Sequence, residues 1–178
     1  MLLDLRRIRT PDEHYEKVYQ PAAFAGEDGY RVVSPVSLAF DIHKDKEHFQ
    51  LAGRVQTTLE LPCSRCVESF TWPVDAPFDL RYQPQPAADL AAGAGKADER
   101  EIAEDDLSTA FYVNDQIDLG QMMREQFLLS LPMKPLCTED CNGLCPMCGT
   151  NLNRGACDCK RDWDDPRLAA LRALKSRQ

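Results

Sequence analysis

The sequence lacks long apolar runs and has no visible targeting segment. No stretch of its 178 residues approaches the roughly 18 consecutive apolar residues that a membrane-spanning helix requires. The opening residues, MLLDLRR, include an acid and are followed by no apolar run long enough for the hydrophobic region of a secretory signal. We therefore expect a cytoplasmic protein.

Catalytic signatures are also missing. The sequence has no phosphate-binding glycine-rich loop, no G-x-S-x-G motif and no H-E-x-x-H motif. Histidine is scarce, and we interpret His14, His43 and His48 as surface residues rather than as ligands or bases. These absences favour a binding protein over an enzyme, and we expect no catalytic residues.

Basic residues are in the minority. The chain has 21 Lys and Arg against 29 Asp and Glu, which gives a net charge of −8 and a pI of about 4.9. The charge is uneven: residues 133–178 contain 8 basic and 6 acidic residues (+2), so residues 1–132 contain the other 13 and 23 (−10). This composition argues against a generic nucleic-acid coat, and the C-terminal part is the less acidic one.

Cysteine, in contrast, is abundant. Six of the eight cysteines lie within residues 137–159, and a C-x-x-C pair begins 74 residues before the first of them. In a reducing cytosol, thiols paired in this way favour metal binding over disulfides. The predicted ligands are Cys63, Cys66, Cys137, Cys141, Cys145, Cys148, Cys157 and Cys159.

Eight thiols can complete two tetrahedral four-cysteine sites, and zinc is the metal that such structural sites usually hold. C-P-M-C-G at 145–149 is typical of a zinc knuckle, in which Gly149 lets the chain turn toward the metal, and Cys157 and Cys159 can complete it. Cys137 and Cys141 would then join Cys63 and Cys66. An alternative grouping adds Cys137 and Cys141 to the knuckle and leaves Cys63 and Cys66 as a redox pair or as free thiols.

Strands are predicted for residues 31–82, where apolar and polar residues alternate over three runs. Such a pattern indicates an antiparallel meander with one buried face. The predicted buried positions are Val36, Leu38, Phe40 and Ile42, then Phe49, Leu51, Gly53, Val55, Thr57, Leu59 and Leu61, then Phe70, Trp72, Val74, Phe78 and Leu80. Residues 43–48 form the first hairpin loop, and residues 62–68 form a corner that carries Cys63 and Cys66.

The remaining segments are predicted one by one. Tyr15, Val18 and Tyr19 suggest one face of a short helix. Residues 83–106 form an acidic, disordered loop, residues 108–113 a short strand, and Asn114-Asp115 a turn. Asp118 caps a helix over 119–131, with an apolar stripe made of Leu119, Met122, Met123, Phe127, Leu128 and Leu131. Asp165 and Pro166 begin a terminal helix over 167–177.

Together these elements predict an α+β fold. It comprises a bent antiparallel β-sheet of four to six strands, which is able to close into a small barrel, one packed helix, and a C-terminal cysteine-rich zinc module. Residues 1–132 form the sheet-and-helix domain. Residues 133–178 form the zinc-binding module with the terminal helix, attached to the first domain through Cys63 and Cys66.

Five motifs carry a resemblance to a known family: LPCSRCVE at 61–68, LPMKPLC at 131–137, CNGLCPMCGTNLN at 141–153, CDC at 157–159 and DPRL at 165–168. The chain resembles the YceD family, the large ribosomal RNA subunit accumulation proteins, over about residues 30–82 and 108–175. The resemblance implies a non-enzymatic bacterial factor for accumulation of large-subunit ribosomal RNA, with relatives in plastids. It also implies a genomic association with a small zinc-containing protein of the large ribosomal subunit.

Two kinds of partner remain open. Large-subunit ribosomal RNA would contact the basic residues of the C-terminal part, namely Arg154, Lys160, Arg161, Arg167, Arg172 and Lys175. A basic large-subunit ribosomal protein would suit the acidic residues 1–132. A different class of function is a cytosolic redox sensor whose cysteines release zinc on oxidation.

Overall fold

A computed structural model describes residues 1–24, 29–85 and 109–159 of the chain. This part contains eight strands, one α-helix and two short 3-10 helices, Leu5–Arg7 and Pro21–Phe24. The strands are β1 (Leu2–Asp4), β2 (Asp12–Tyr19), β3 (Arg31–Val32), β4 (Val36–Asp45), β5 (His48–Pro62), β6 (Ser69–Pro84), β7 (Thr109–Tyr112) and β8 (Gln116–Asp118). The helix, α1, is Leu119–Ser130.

The predicted meander is confirmed as β4, β5 and β6, which pair antiparallel in that order. Their alternation fixes the register, because a slip of one residue would turn every apolar side chain to solvent. Thus Leu38, Leu51 and Val74, from the three strands, are all buried. The first hairpin is tighter than predicted: β4 continues to Asp45, β5 begins at His48, and Lys46 in the turn has a φ of 57°.

β5 needs glycine at one position. Gly53 lies opposite Phe40 of β4. A Cβ atom built on Gly53 would lie 2.3 Å from the carbonyl oxygen of Ala39 and 2.4 Å from the Cβ atom of Phe40. Because both neighbours belong to the adjacent strand close to its backbone, the two strands can approach this closely only where a side chain is missing.

The helix predicted around Tyr15, Val18 and Tyr19 is wrong, since this segment is strand β2. Tyr15 pairs with Phe40 of β4, and the two rings stack with centroids 5.3 Å apart. Val18, in contrast, is 57% exposed. The β-branched and aromatic residues here suit a strand, and pairing with β4 outweighs the weak helical spacing that the segment shows by itself.

Six strands form the main sheet, in the order β2-β4-β5-β6-β7, with β3 pairing an end of β5. β7 is parallel to β6, which the sequence did not predict. Within the described residues no pairing joins the end strands β2 and β7, so the sheet is open there rather than a closed barrel. β1 and β8 form a separate two-stranded antiparallel sheet. With α1, this architecture confirms the predicted α+β class.

Strand β6 has an edge that its prolines protect. Over residues 69–80 no described strand pairs with the side of β6 that faces away from β5. Pro73 and Pro77 are four residues apart, so both belong to the set of residues whose backbone groups point to one side. Because proline has no N–H, this pattern is tolerated on an open edge and discourages pairing with another chain.

Helix α1 covers one part of the sheet's inner face. The carboxylate of Asp118 accepts hydrogen bonds from the backbone N–H groups of Gly120 (2.8 Å) and Gln121 (3.2 Å), which confirms the predicted cap. Met123 and Phe127 are fully buried. The predicted apolar stripe was too wide, since Leu128 is 50% exposed.

Two predicted segments fall outside the described residues: the helix over 167–177, and most of the acidic loop over 83–106. The loop's first residues, Gln83 and Pro84, belong to β6. None of the helices in residues 1–24, 29–85 and 109–159 has the length and apolar character needed to cross a bilayer.

Candidate metal centres

The corner between β5 and β6 forms a knuckle around Cys63 and Cys66. The backbone N–H of Val67 donates to the carbonyl oxygen of Cys63 (2.9 Å), and the N–H of Cys63 donates to the carbonyl oxygen of Glu68 (2.9 Å). Val67 has a φ of 62°, in the left-handed region that β-branched residues rarely adopt. This turn brings the two cysteine side chains to the same side of the corner.

A second knuckle, at 145–149, repeats these contacts. The N–H of Gly149 donates to the carbonyl oxygen of Cys145 (2.9 Å), and the N–H of Cys145 donates to that of Thr150 (2.8 Å). Gly149 has a φ of 74°, as expected for the glycine of the motif, and a side chain there would meet no atom within 4 Å. The two corners therefore share one backbone geometry, with valine in the first where the second has glycine.

The structure groups the eight sulfur atoms as the cysteine spacing predicted. One group is Cys63, Cys66, Cys137 and Cys141, which we call site 1; the other is Cys145, Cys148, Cys157 and Cys159, which we call site 2. Within each group all sulfur atoms lie within 4.8 Å of one another. In site 1 two Sγ–Sγ distances, from Cys63 to Cys141 and from Cys66 to Cys137, are 3.7 Å.

These distances fit a tetrahedral metal. Four sulfur atoms at about 2.3 Å from a zinc ion form a tetrahedron whose edges are about 3.8 Å. Four thiols without a histidine, a carboxylate or an open position are the donor set of a structural site. The residues of both groups therefore fit zinc, and each group could hold one ion.

The two groups differ in exposure. Cys63, Cys66 and Cys141 of site 1 are 2–3% exposed and pack with Phe70 and Leu136 in a small apolar cluster. In site 2, Cys148 is exposed, and Cys157 and Cys159 are partly exposed. Site 1 thus lies inside the protein, between the β5–β6 corner and the segment after α1, whereas site 2 lies at the surface.

Hydrogen bonds to sulfur favour thiolates in both groups. The backbone N–H of Cys66 is the main cause that lowers the pKa of Cys63 to about 6. The side chain of Thr150, whose hydroxyl lies 3.1 Å from Sγ of Cys148, is the main cause that lowers the pKa of that thiol to about 6. At Cys66, the N–H of Glu68 lowers the pKa, but burial and the neighbouring sulfurs raise it to about 12. Binding of a cation would displace the protons that remain.

Several residues at the sites were not predicted. Arg65, inside the first C-x-x-C pair, donates from Nη1 to the carbonyl oxygen of Cys141 (2.8 Å). Asn153, in the loop of site 2, donates from Nδ2 to Sγ of Cys141 (3.2 Å). Arg154 forms a 2.6 Å ion pair with Glu68 of the corner. The only sequence signal for Asn153 was its place in the N-L-N run after the knuckle.

The other candidate residues lie elsewhere. His14 and His43 are exposed on the outer face of the sheet, where Nδ1 of each contacts an aspartate of the paired strand, Asp41 (2.7 Å) and Asp12 (2.6 Å) respectively. His48 is also exposed. Of the basic residues predicted to contact RNA, Arg154 is in the described part, and Lys160, Arg161, Arg167, Arg172 and Lys175 lie outside it.

Comparison with known proteins gives curated relatives but no solved structure that matches. The chain is 28% identical over 157 residues to "Large ribosomal RNA subunit accumulation protein YCED homolog 1, chloroplastic" of Arabidopsis thaliana, covering 80% of this chain and 49% of the relative. The Zea mays protein of the same name is also 28% identical to the chain, covering 71% of this chain and 49% of the relative. The chain thus spans about half the length of these plant relatives. An uncharacterized Mycobacterium tuberculosis protein is 28% identical, covering 96% of this chain and 79% of that protein.

The family comparison covers most of the chain. Residues 51–175 match the family described as "Large ribosomal RNA subunit accumulation protein YceD". This range includes most of β5, all of β6 and α1, and all eight cysteines of sites 1 and 2. The chain therefore belongs to the YceD family.

Proposed function

We propose that this protein is a non-catalytic ribosome-biogenesis factor that supports accumulation of large-subunit ribosomal RNA and that holds two structural zinc ions. The family match and the names of the plant relatives support the ribosomal role. The observation that carries the zinc part is the two closed sets of four sulfur atoms. The proposal includes a cytoplasmic location, because a reducing compartment keeps eight thiols available for metal.

In this proposal zinc holds the fold together rather than acting in a reaction. Bound at site 1, the metal would link the β5–β6 corner to residues 137–141, and so hold a C-terminal module, residues 133–178, against the sheet-and-helix domain, residues 1–132. All-thiolate coordination leaves no position for water or substrate, which supports a binding function and not hydrolysis.

The outer face of the sheet supports a cationic protein as the partner. Residues that lie opposite one another in paired strands share a face, so the register identifies the outward positions of β2–β6. The acidic residues at these positions are Asp12, Glu16, Asp41, Asp45, Glu60, Asp75 and Asp79, and the arginines are Arg31, Arg54 and Arg81.

Two of these arginines already pair with acids of the same face, Arg31 with Glu60 and Arg54 with Asp75. The face therefore keeps a net negative charge, which would attract a basic large-subunit ribosomal protein and repel an RNA backbone. Large-subunit ribosomal RNA is the second candidate partner, favoured by the basic residues among 154–175.

The test compares two charge-reversal variants of the tagged protein in sucrose gradients and in binding assays with purified large-subunit proteins and RNA. Asp41→Lys with Asp79→Lys should lose a basic ribosomal protein that the wild type binds, whereas Arg172→Glu with Lys175→Glu should keep it. The opposite result, with salt-sensitive binding of ribosomal RNA, would favour the RNA partner. Migration of the wild type alone at the top of the gradient would count against both.

The exposed thiol of Cys148 favours one further candidate, a redox sensor that releases zinc from site 2 on oxidation. Mild treatment with hydrogen peroxide distinguishes it from the structural role. A sensor should release one zinc ion reversibly and gain a new activity, whereas a structural site should lose metal without any such gain.

A further inference from the structure

One side chain from the loop of site 2 forms a hydrogen bond with a sulfur atom of site 1. Asn153 lies in the loop of site 2, between Cys148 and Cys157, yet its amide nitrogen donates to Sγ of Cys141 in site 1 (3.2 Å). Its amide oxygen accepts the backbone N–H of Asn142 (2.7 Å), so both ends of the amide are held by the segment that leads from site 1 to site 2. An amide that donates to a metal-binding sulfur stabilises the thiolate and orients it.

Backbone hydrogen bonds near this amide also connect the segments of the two sites. The N–H of Leu144, next to Cys145, donates to the carbonyl oxygen of Arg65 in the first knuckle (3.2 Å). A Cβ atom on Gly143 would lie 3.1 Å from the same oxygen, so the two segments are in direct contact. The loop of site 2 closes on this segment through the N–H of Leu152, which donates to the carbonyl oxygen of Gly143 (2.9 Å).

We propose that the two sites bind metal cooperatively, and that Asn153 is the positioning residue that couples them. The inference rests on the proposed zinc sites. Metal at site 2 fixes both ends of the 149–156 loop, and so holds the Asn153 amide on the sulfur of Cys141. By reciprocity, metal at site 1 fixes Cys141 and Asn142, which in turn orders the loop that closes site 2.

The expected size of the coupling follows from known second-sphere effects. Loss of a hydrogen bond to a metal ligand lowers metal affinity by about 10–100-fold. Since Asn153 contributes one hydrogen bond to a sulfur atom, we expect the lower end, about tenfold. Site 1 should therefore bind zinc about tenfold more weakly when site 2 is disabled.

The experiment measures zinc affinity of site 1 in the full chain by competition with a chromophoric chelator. Site 2 is disabled with Cys148→Ser and Cys157→Ser, and the effect is compared with and without Asn153→Ala. In the wild-type background, disabling site 2 should weaken site 1 about tenfold. In the Asn153→Ala background site 1 should already be weak, and disabling site 2 should have no further effect.

Two further variants separate coupling from a general structural role. Asn153→Asp keeps an oxygen for the N–H of Asn142 but removes the donor to sulfur, so it should weaken site 1 like Asn153→Ala while the sheet keeps its melting temperature. Arg154→Ala is the matched control, because the neighbouring Arg154 also bridges the loop to the first knuckle but contacts Glu68 rather than a sulfur. It should leave the coupling unchanged.

The outcomes also separate this inference from the proposal on which it rests. If the wild type binds two zinc ions but site 1 has the same affinity with and without site 2, the coupling is wrong and the zinc sites stand. If Arg154→Ala abolishes the coupling as fully as Asn153→Ala does, the assignment to Asn153 is wrong. If the wild type binds no zinc, the proposed sites and the coupling both fail.

Discussion

Two glycines of this chain stand in opposite environments. At Gly53 an added Cβ would overlap the backbone of β4, with the carbonyl oxygen of Ala39 only 2.3 Å away. At Gly155 an added Cβ would meet no atom within 4 Å, and the backbone is outside the left-handed region. The same substitution should therefore have opposite effects at the two positions.

We predict that Gly53→Ala lowers the free energy of unfolding by about 3 kcal/mol, because the strands must separate to admit the methyl group. Gly155→Ala should leave it unchanged or raise it by up to about 1 kcal/mol, since alanine restricts the unfolded chain more than glycine does. Chemical denaturation of both variants measures the difference. Equal stabilities would mean that β4 and β5 are not in such close contact at Gly53.

Single cysteines test the grouping of the ligands. Cys63→Ser should reduce the bound zinc from two ions to one, because the buried site 1 loses a ligand while site 2 keeps its four. Cys148→Ser should also leave one ion, but with a smaller loss of stability, since Cys148 is exposed and Cys63 is buried. Metal analysis of the purified variants, together with thermal melting, measures both effects. A Cys63→Ser protein that still holds two ions would refute the grouping.

Among the local elements, the first knuckle is strained and the second is not. Val67 adopts a φ of 62° and is 65% exposed. Because its side chain is mostly exposed, burial does little to offset the strain of this backbone conformation. The left-handed region costs a residue with a Cβ atom roughly 1–2 kcal/mol, and asparagine tolerates it better than valine. The equivalent residue of the second knuckle, Gly149, has no such strain.

We predict that Val67→Asn raises the free energy of unfolding by about 0.5–1 kcal/mol. The matched control is Val18→Asn, because Val18 is similarly exposed (57%) but lies in strand β2. That substitution should not stabilise the protein, since β-branched residues favour strands. Denaturation of the zinc-loaded proteins gives both values, and a loss of stability in Val67→Asn would show that the valine side chain has a role that its exposure does not reveal.

Helix α1 depends on its cap. Burial by itself raises the pKa of Asp118, but the N–H groups of Gln121 and Gly120 and the amino group of Met1 together lower it below its ordinary value. Because the folded pKa is the lower one, the stabilisation is present above the unfolded value near 3.8 and is lost as the pH falls through the folded value.

We predict that Asp118→Ala lowers the free energy of unfolding by about 1 kcal/mol at neutral pH. Asp118→Asn should cost less, because its side-chain oxygen still accepts the backbone N–H groups. The difference between the wild type and Asp118→Asn should shrink below pH 3.8, where the carboxylate begins to be protonated. Urea denaturation at several pH values measures this, and a difference that grows toward acid would contradict the assignment.

Within the described part of the molecule, packing divides the chain unevenly. The main apolar core draws its members from residues 1–131, the last being Leu131. Beyond it, the apolar burial of residues 133–159 consists mainly of the small cluster around Cys63, Cys66 and Cys141. The fold of this segment should therefore depend on metal, whereas the sheet and α1 have a core of their own.

We predict that a strong chelator releases the C-terminal segment and leaves the sheet folded. Trypsin should then cleave rapidly after Arg154, while the β-sheet signal in circular dichroism is retained. Adding back excess zinc should restore resistance to cleavage. Unfolding of the whole chain on chelation would mean that sheet and segment form one cooperative unit, and unchanged cleavage would mean that the segment needs no metal.

The features that depend only on residues close together in the chain could be predicted from the sequence. Alternation along β4, β5 and β6 fixed the buried face, Asp118 marked the start of α1, and the C-x-x-C spacing marked both knuckles. Each of these depends on residues a few positions apart, so the backbone geometry of a strand, a cap or a turn is enough to predict it.

Which segments that are distant in the chain contact each other was established by the tertiary structure. It made residues 12–19 a strand, because pairing with β4 outweighs the weak helical spacing of this segment, and it set β7 parallel to β6. It also decided between the two cysteine groupings that the sequence left open, since Cys63 and Cys66 lie with Cys137 and Cys141, and it placed Asn153 on the sulfur of Cys141. The physical reason is that such contacts join residues far apart in the chain, and local spacing carries no information about which of the possible partners gives the lowest free energy.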